Sequence, residues 1–148
     1  MDRLFIIIFS LLLSIKAMAF PCFLTVVKDS CWTNYDVTVR GVNSSTGKDS
    51  TSVTVPKNEK WKRVKFSCEP KEILTFKAIF SPVFWKSDEG KIYSSKRDWP
   101  FPDQVEKEAA AWGVTLCYPQ DFSEVPLPPD ASGKCICDKS AIPPIPPQ

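Results

Sequence analysis

The stretch YDVTVRGV, residues 35–42, decides the fold. Tyr35, Val37 and Val39 recur at every second position, opposite Asp36, Thr38 and Arg40, which is the period of a β-strand with one buried face. The same alternation returns in SVTV with Val53 and Val55, and in EILTFKAIF with Leu74, Phe76, Ala78 and Phe80. In EILTFKAIF, Ile73 and Ile79 make the second face partly apolar as well. NSSTGKD (43–49) and PKNEK (56–60) separate these runs and have the composition of turns. A meander of about four strands from Tyr35 to Phe80 is therefore expected. Further strands are expected near Phe23–Lys28, at Val83–Lys86 with Ile92 and Tyr93, and at Val114–Tyr118.

One segment breaks the period of two. PDQVEKEAAAWG begins at Pro102, carries acids near its start, contains the helix formers Ala109–Ala111 and ends at Gly113. A helix over 102–112 is expected, packed on the sheet through Val105 and Trp112. Beyond Tyr118 the composition shifts: half of the chain's 14 prolines lie after Pro119, too many for central strands. The class that follows is mostly β: an antiparallel β-sandwich of immunoglobulin-like architecture with one short helix and a disulfide-stapled, Pro-rich C-terminal arm.

At the other end, MDRLFIIIFSLLLSIKAMA combines Arg3, an apolar run from Leu4 to about Leu13, and small residues at Ala17 and Ala19. That is the pattern of a cleavable signal peptide over 1–19, with Phe20 as the first residue after cleavage. The sandwich is expected over 20–118, and an extended arm with a flexible tail over 119–148. The apolar run is too short to span a bilayer, and no lipid-anchor pattern accompanies Cys22 or the C-terminus, so no membrane anchor is expected after cleavage. Cleavage removes only Asp2, Arg3 and Lys16 from the chain's 19 basic and 17 acidic residues, leaving a nearly neutral protein. Nucleic acid is not the expected partner of such a balance.

The six cysteines are Cys22, Cys31, Cys68, Cys117, Cys135 and Cys137, all beyond the signal. An even number in an exported chain points to disulfides, with connectivity open at the level of sequence. Cys135 and Cys137 raise a choice between a metal clip, a redox centre and a staple. A zinc site lacks both a C-x2-C pair and any histidine to complete it. A redox role lacks C-x-x-C and a thioredoxin-like βαβ pattern. In an extended segment the two side chains point the same way, so each can reach a different upstream cysteine. No metal and no cofactor is expected.

The chain has no histidine, which removes Ser-His-Asp and Cys-His nucleophile systems. Neighbouring acids such as Asp88 and Glu89 read as solvated, and no catalytic residue is assigned. Candidate binding residues come from two clusters. In KNEKWKRVKF, Val64, Phe66 and Cys68 share one face, while Trp61, Arg63 and Lys65 share the other, forming a stripe with the residue types that anchor interfaces. Between Phe80 and Trp112 aromatics are dense, and Trp85 and Trp99 could serve as platforms of a groove for carbohydrate, peptide or lipid. IPPIPPQ reads as a loose proline-rich end, and Asn43-Ser44-Ser45 would be a glycosylation acceptor in a eukaryotic host.

The reading is an exported module, periplasmic or secreted, that acts in the bacterial cell envelope through surface contacts with protein or glycan and not as an enzyme. A secreted enzyme inhibitor or effector-like protein is the alternative, and a thiol-disulfide redox protein using Cys135 and Cys137 the third reading.

Overall fold

In the computed structural model, which describes residues 18–103 and 111–147, the alternating stretches become strands of two facing sheets. The strands are β1 (Phe20–Lys28), β2 (Asp36–Asn43), β3 (Asp49–Val55), β4 (Trp61–Cys68), β5 (Ile73–Ser81), β6 (Tyr93–Ser94), β7 (Trp99–Pro100) and β8 (Trp112–Tyr118). A three-stranded sheet has the order β4-β1-β8, and a five-stranded sheet has the order β3-β2-β5-β6 with β7 also on β5. The inward positions are those of the period-two sets. Leu24, Val26, Val114, Leu116 and Tyr118 from the first sheet meet Val37, Val39, Val53, Val55, Leu74, Phe76 and Ala78 from the second.

Three expectations change. The run from Tyr35 to Phe80 is not one meander: β2 and β3 form a hairpin, but β4 leaves for the other sheet and pairs with β1, and β5 returns to pair with β2. The turn at 56–60 makes this crossing, held by Asn58 N–H on Thr33 O at 2.8 Å and by Lys28 N–H on Lys60 O at 2.8 Å. The sandwich is also not wholly antiparallel, because β1 and β8 run parallel, from Cys22 beside Trp112 to Lys28 beside Tyr118. Alternation fixes which face a strand buries and is silent about the direction of its neighbour.

The third change concerns the expected helix over 102–112. Residues 104–110 lie outside the described residues, and Trp112 stands in β8, where Trp112, Val114, Leu116 and Tyr118 form one inward period-two set. The described helical turns are two single 3-10 turns, Ser30–Trp32 and Lys86–Asp88. Of the segment Val83–Lys86 expected as a strand, none is one; Tyr93 with Ser94 forms β6.

Trp32 fills one end of the sandwich. It is fully buried, with ring centroids of Phe80 and Tyr118 at 4.8 Å and of Tyr35 at 5.2 Å in edge-on contact. Such pairs add to the stabilisation from burial itself, by about 0.5–1.5 kcal/mol each. In β2, Gly41 is fixed by space: a Cβ there would lie 3.0 Å from Thr51 Cγ2 and 3.1 Å from both Leu74 Cδ1 and Phe76 Cε1. The same position begins a register shift that bends the strand.

All six cysteines are paired. Cys22–Cys68 links β1 to β4 on the inward side of one sheet, unlike the bond between sheets in antibody domains. Cys31–Cys135 and Cys117–Cys137 tie the arm to the sandwich.

Candidate functional site

The arm begins where β8 ends and first crosses to the larger sheet. Asp121 turns the chain by accepting Cys117 N–H at 2.7 Å, and Phe122, 2% exposed, enters the core while bridging Ser95 beside β6. The arm then passes the end of the sandwich, where Asp130 accepts the Tyr35 hydroxyl at 2.8 Å and Asn34 Nδ2 at 3.0 Å. Burial and this bonded carboxylate push the Tyr35 phenol up to about 12. In return, the bonds from Asn34 and Tyr35 hold Asp130 below the ordinary carboxylate value.

At Lys134–Cys137 the arm meets the turn after β1. Ser30 N–H donates to Ile136 O at 3.0 Å, and the Ser30 hydroxyl donates to Lys134 O at 3.1 Å while accepting Ile136 N–H at 3.1 Å. Cys135 and Cys137 flank this contact and bond Cys31 and Cys117 respectively. With no free thiol on the chain and no bond between Cys135 and Cys137, the arrangement is a double staple. Asp29, Cys31 and Cys135 bring ligand-type atoms within 4.8 Å. Both sulfurs there are consumed in one disulfide, so no thiolate is available to a metal.

Beside the staple lies a pocket of about 270 Å³ lined by Lys28, Ser30, Glu59, Lys60, Ile136 and Asp138 among others. Its lining charges are of mixed sign. Lys28 is 4% exposed and turns its Nζ inward, to Tyr35 O at 2.7 Å and Pro56 O at 2.8 Å; burial lowers its pKa, against Asp36 and Glu59. Lys28 is thus a structural clamp.

From Cys137 onward the arm crosses the outer face of the three-stranded sheet. The rows on that face are Trp61–Val27–Cys117, Arg63–Thr25–Thr115 and Lys65–Phe23–Gly113. Thr25 and Val27 are fully buried although neither belongs to the core between the sheets, because the arm roofs them. Arg63 ties roof to sheet. Its Nε donates to Thr25 Oγ1 at 2.7 Å, and its two terminal nitrogens donate to Pro143 O at 2.8 Å and Pro144 O at 3.2 Å. Further along, Ala111 N–H donates to Pro146 O at 3.0 Å. The proline-rich end expected to be flexible is therefore docked, by contacts between residues about 80 positions apart.

Of the candidate binding residues, Trp61, Arg63 and Lys65 share one outer face of β4, with the Arg63 guanidinium 5.9 Å from the Trp61 ring centroid. Trp61 is half-buried and Lys65 exposed. The structure does not bring Trp85 and Trp99 together. Trp99 pairs with Leu74 at one end of β5, stacked under the Arg97 guanidinium at 3.5 Å and edge-on to Phe76. Trp85 follows the opposite end of β5 and is 64% exposed. Most other aromatics of this region, Phe84, Tyr93 and Phe101 included, pack on the core.

Sequence reasoning passed over Thr25, Gly113 and the two tail isoleucines. The signal was present in the spacing of Ile142 and Ile145, three apart, which equals the turn of a polyproline helix. It also passed over Glu72, 9% exposed, whose carboxylate accepts Asn43 Nδ2 at 3.1 Å and the Ser50 hydroxyl at 2.6 Å. The nitrogen that a glycan would need on Asn43 is thus engaged inside the fold. No protein-family model, no curated protein and no solved structure matches this chain.

Proposed function

We propose that this chain is an exported binding or structural module of the bacterial cell envelope, working in the periplasm or outside the cell through contacts with a protein or glycan and not as an enzyme. The observation that carries the reading is the face of the three-stranded sheet, where Trp61, Arg63 and Lys65 lie in one row of β4 beside a stapled arm. Three disulfides fit an oxidising compartment. β1 begins at Phe20, the residue that cleavage after Ala19 would expose. Among the described residues, no helix is long and apolar enough to cross a membrane.

The test uses the purified, oxidised chain cross-linked to envelope fractions and screened on glycan arrays. One discrete partner is expected, and its capture should be lost in Trp61→Ala/Lys65→Glu at an unchanged unfolding midpoint. Undiminished capture by that variant would refute the stripe as the contact surface. A second reading, an enzyme inhibitor, is favoured by Trp85, 64% exposed on the loop between β5 and β6. It requires that the chain reduce the activity of a protease or glycosidase in a panel and that Trp85→Ala abolish this.

A further inference from the structure

We propose that the outer face of the three-stranded sheet is a recognition groove for extended proline-rich segments of other polypeptides, held in this chain by its own tail, Ile142–Pro147, as resident competitor. The proposal rests on the reading of this face as a contact surface and adds the class of its ligand.

The chemistry of the groove matches that class. A proline has no N–H, so a proline-rich segment cannot complete a strand ladder, and its carbonyls need donors from outside. Arg63 provides them. Its Nε is fixed against Thr25 Oγ1 at 2.7 Å, which aims the remaining two nitrogens at consecutive carbonyls, Pro143 O and Pro144 O, at 2.8 and 3.2 Å. Ala111 N–H takes a third carbonyl, Pro146 O, at 3.0 Å. All three bonds are to backbone oxygens and read an extended chain without reading this chain in particular.

Selectivity comes from shape. A polyproline helix has three residues per turn, so Ile142 and Ile145 fall on one edge of it. These two are the half-buried residues of the docked tail, while Pro143, Pro144, Pro146 and Pro147 are exposed. Gly113 makes the seat for the second isoleucine: a Cβ at that position would lie 2.8 Å from Ile145 Cδ1 and 3.1 Å from Ile145 Cγ1. Trp61 lies two residues from Arg63 on the same outer face of β4, its ring centroid 5.9 Å from the Arg63 guanidinium. The required ligand is therefore an apolar residue repeated every third position with prolines between.

The tail sits on the surface rather than in it, and its nearest covalent anchor is Cys137. Its departure breaks no pairing of β4, β1 and β8, and it uncovers Thr25 beside Arg63. Tethered, it competes at an effective concentration on the order of millimolar, so a free ligand meets a groove that is occupied by default.

The experiment uses the full, oxidised chain and a fluorescein-labelled synthetic peptide, SAIPPIPPQ, corresponding to Ser140–Gln148. Ile145→Asp places a carboxylate against the Gly113 seat and should undock the tail. This variant is expected to bind the peptide about tenfold more tightly than the unaltered chain, the gain being the loss of tethered competition. Adding Arg63→Ala should abolish binding, as should a peptide with aspartate at both isoleucines. If Ile145→Asp does not fold, the unaltered chain decides: saturating unlabelled peptide should release the resident tail and shift the tail's own Ile142 and Ile145 amide resonances to those of a free segment. Absence of binding to folded Ile145→Asp, absence of those shifts, or equal binding by a glycine-for-proline peptide or by an oligosaccharide overturns the proposal. Failure here with capture of an envelope partner still dependent on Trp61 and Lys65 removes the proline-rich ligand and leaves the contact surface standing. Peptide binding without any envelope capture does the reverse.

Discussion

The two sheets of this sandwich are written in the same alternating hydrophobic code, yet their outer faces have different fates. The larger sheet shows solvent Thr38, Arg40, Thr54, Lys77 and Ile79, with Thr38 and Thr54 sharing a hydroxyl bond at 2.8 Å. The three-stranded sheet hides Thr25 and Val27 completely beneath the arm. A period of two describes a strand between core and water. Where a distant segment replaces the water, outward positions become a second interior, and the residues there must satisfy their polar groups as core residues do.

The largest effect should come from unpinning the roof. Replacing Cys31 and Cys135 together with alanine opens a loop of 104 residues and should cost about 4–5 kcal/mol, measured as a urea unfolding midpoint under non-reducing conditions. Amide exchange should then rise at Thr25 and Val27 and stay unchanged at Thr38 and Thr54. Equal rises on both faces would mean that the arm does not distinguish them.

Matched substitutions on the two central strands sharpen the contrast. Thr25→Lys buries an unpaired charge in place of the acceptor for Arg63 and should cost about 3 kcal/mol or more. Thr38→Lys, on the bare face, should stay within about 0.5 kcal/mol. The arginines form a smaller pair of the same kind. Arg63→Ala removes three bonds, one to a buried hydroxyl, for about 1–3 kcal/mol. Arg40→Ala breaks a half-exposed ion pair with Asp49 at 3.1 Å and should cost about 0–1 kcal/mol.

The smallest expected effect is on pH dependence, and it tests where the arm crosses the sandwich end. Tyr35 keeps its proton up to about 12 in the fold, whereas the unfolded chain releases it near an ordinary value of about 10. Its contribution is therefore complete below about pH 10 and is lost as pH rises toward about 12. Burial raises Tyr93 and Tyr118 too, adding the same sign. Lys28, lowered by burial, has the opposite sign and gains stability as pH approaches its unfolded value. At the acid end, Asp130 contributes above the ordinary carboxylate value, and that contribution is lost as pH falls through its lowered one. Tyr35→Phe should lessen the alkaline fall, leaving the parts of Tyr93 and Tyr118, and lessen the Asp130 part of the acid fall, which the Asn34 bond still sustains; a change at one end only would separate the two groups.

How much of this was legible follows the same contrast. β2, β3 and β5 stand where alternation put them, because each has one face in water. β1 starts three residues before the expected Phe23, since both of its faces are covered and period two fades into a continuous buried run. Trp112 was assigned to a helix end although it begins the inward set Trp112, Val114, Leu116 and Tyr118, the alanine run before it having drawn the boundary. The stripe on β4 was visible from side-chain spacing. What Arg63 does there was not, since its partners lie in the tail. Prolines forbid a strand and for that reason suggest slackness, while the carbonyls they retain are what the sheet captures.

The parallel pairing of β1 with β8 sets the order in which the molecule can assemble. β1 is the middle strand of its sheet, yet its neighbours arrive with Trp61 and Trp112. As the chain is made from its N-terminus, Leu24, Val26 and Val27 wait with both ladder edges open until β4 is made, and with one edge open until the last strand, β8, exists. Contacts of such separation are slow to form, and an unpaired apolar strand is the part of a chain most prone to pair with a stranger. The native state is thus reached late and nearly all at once, and the period before β8 arrives is when this protein most needs to be kept apart from its own copies.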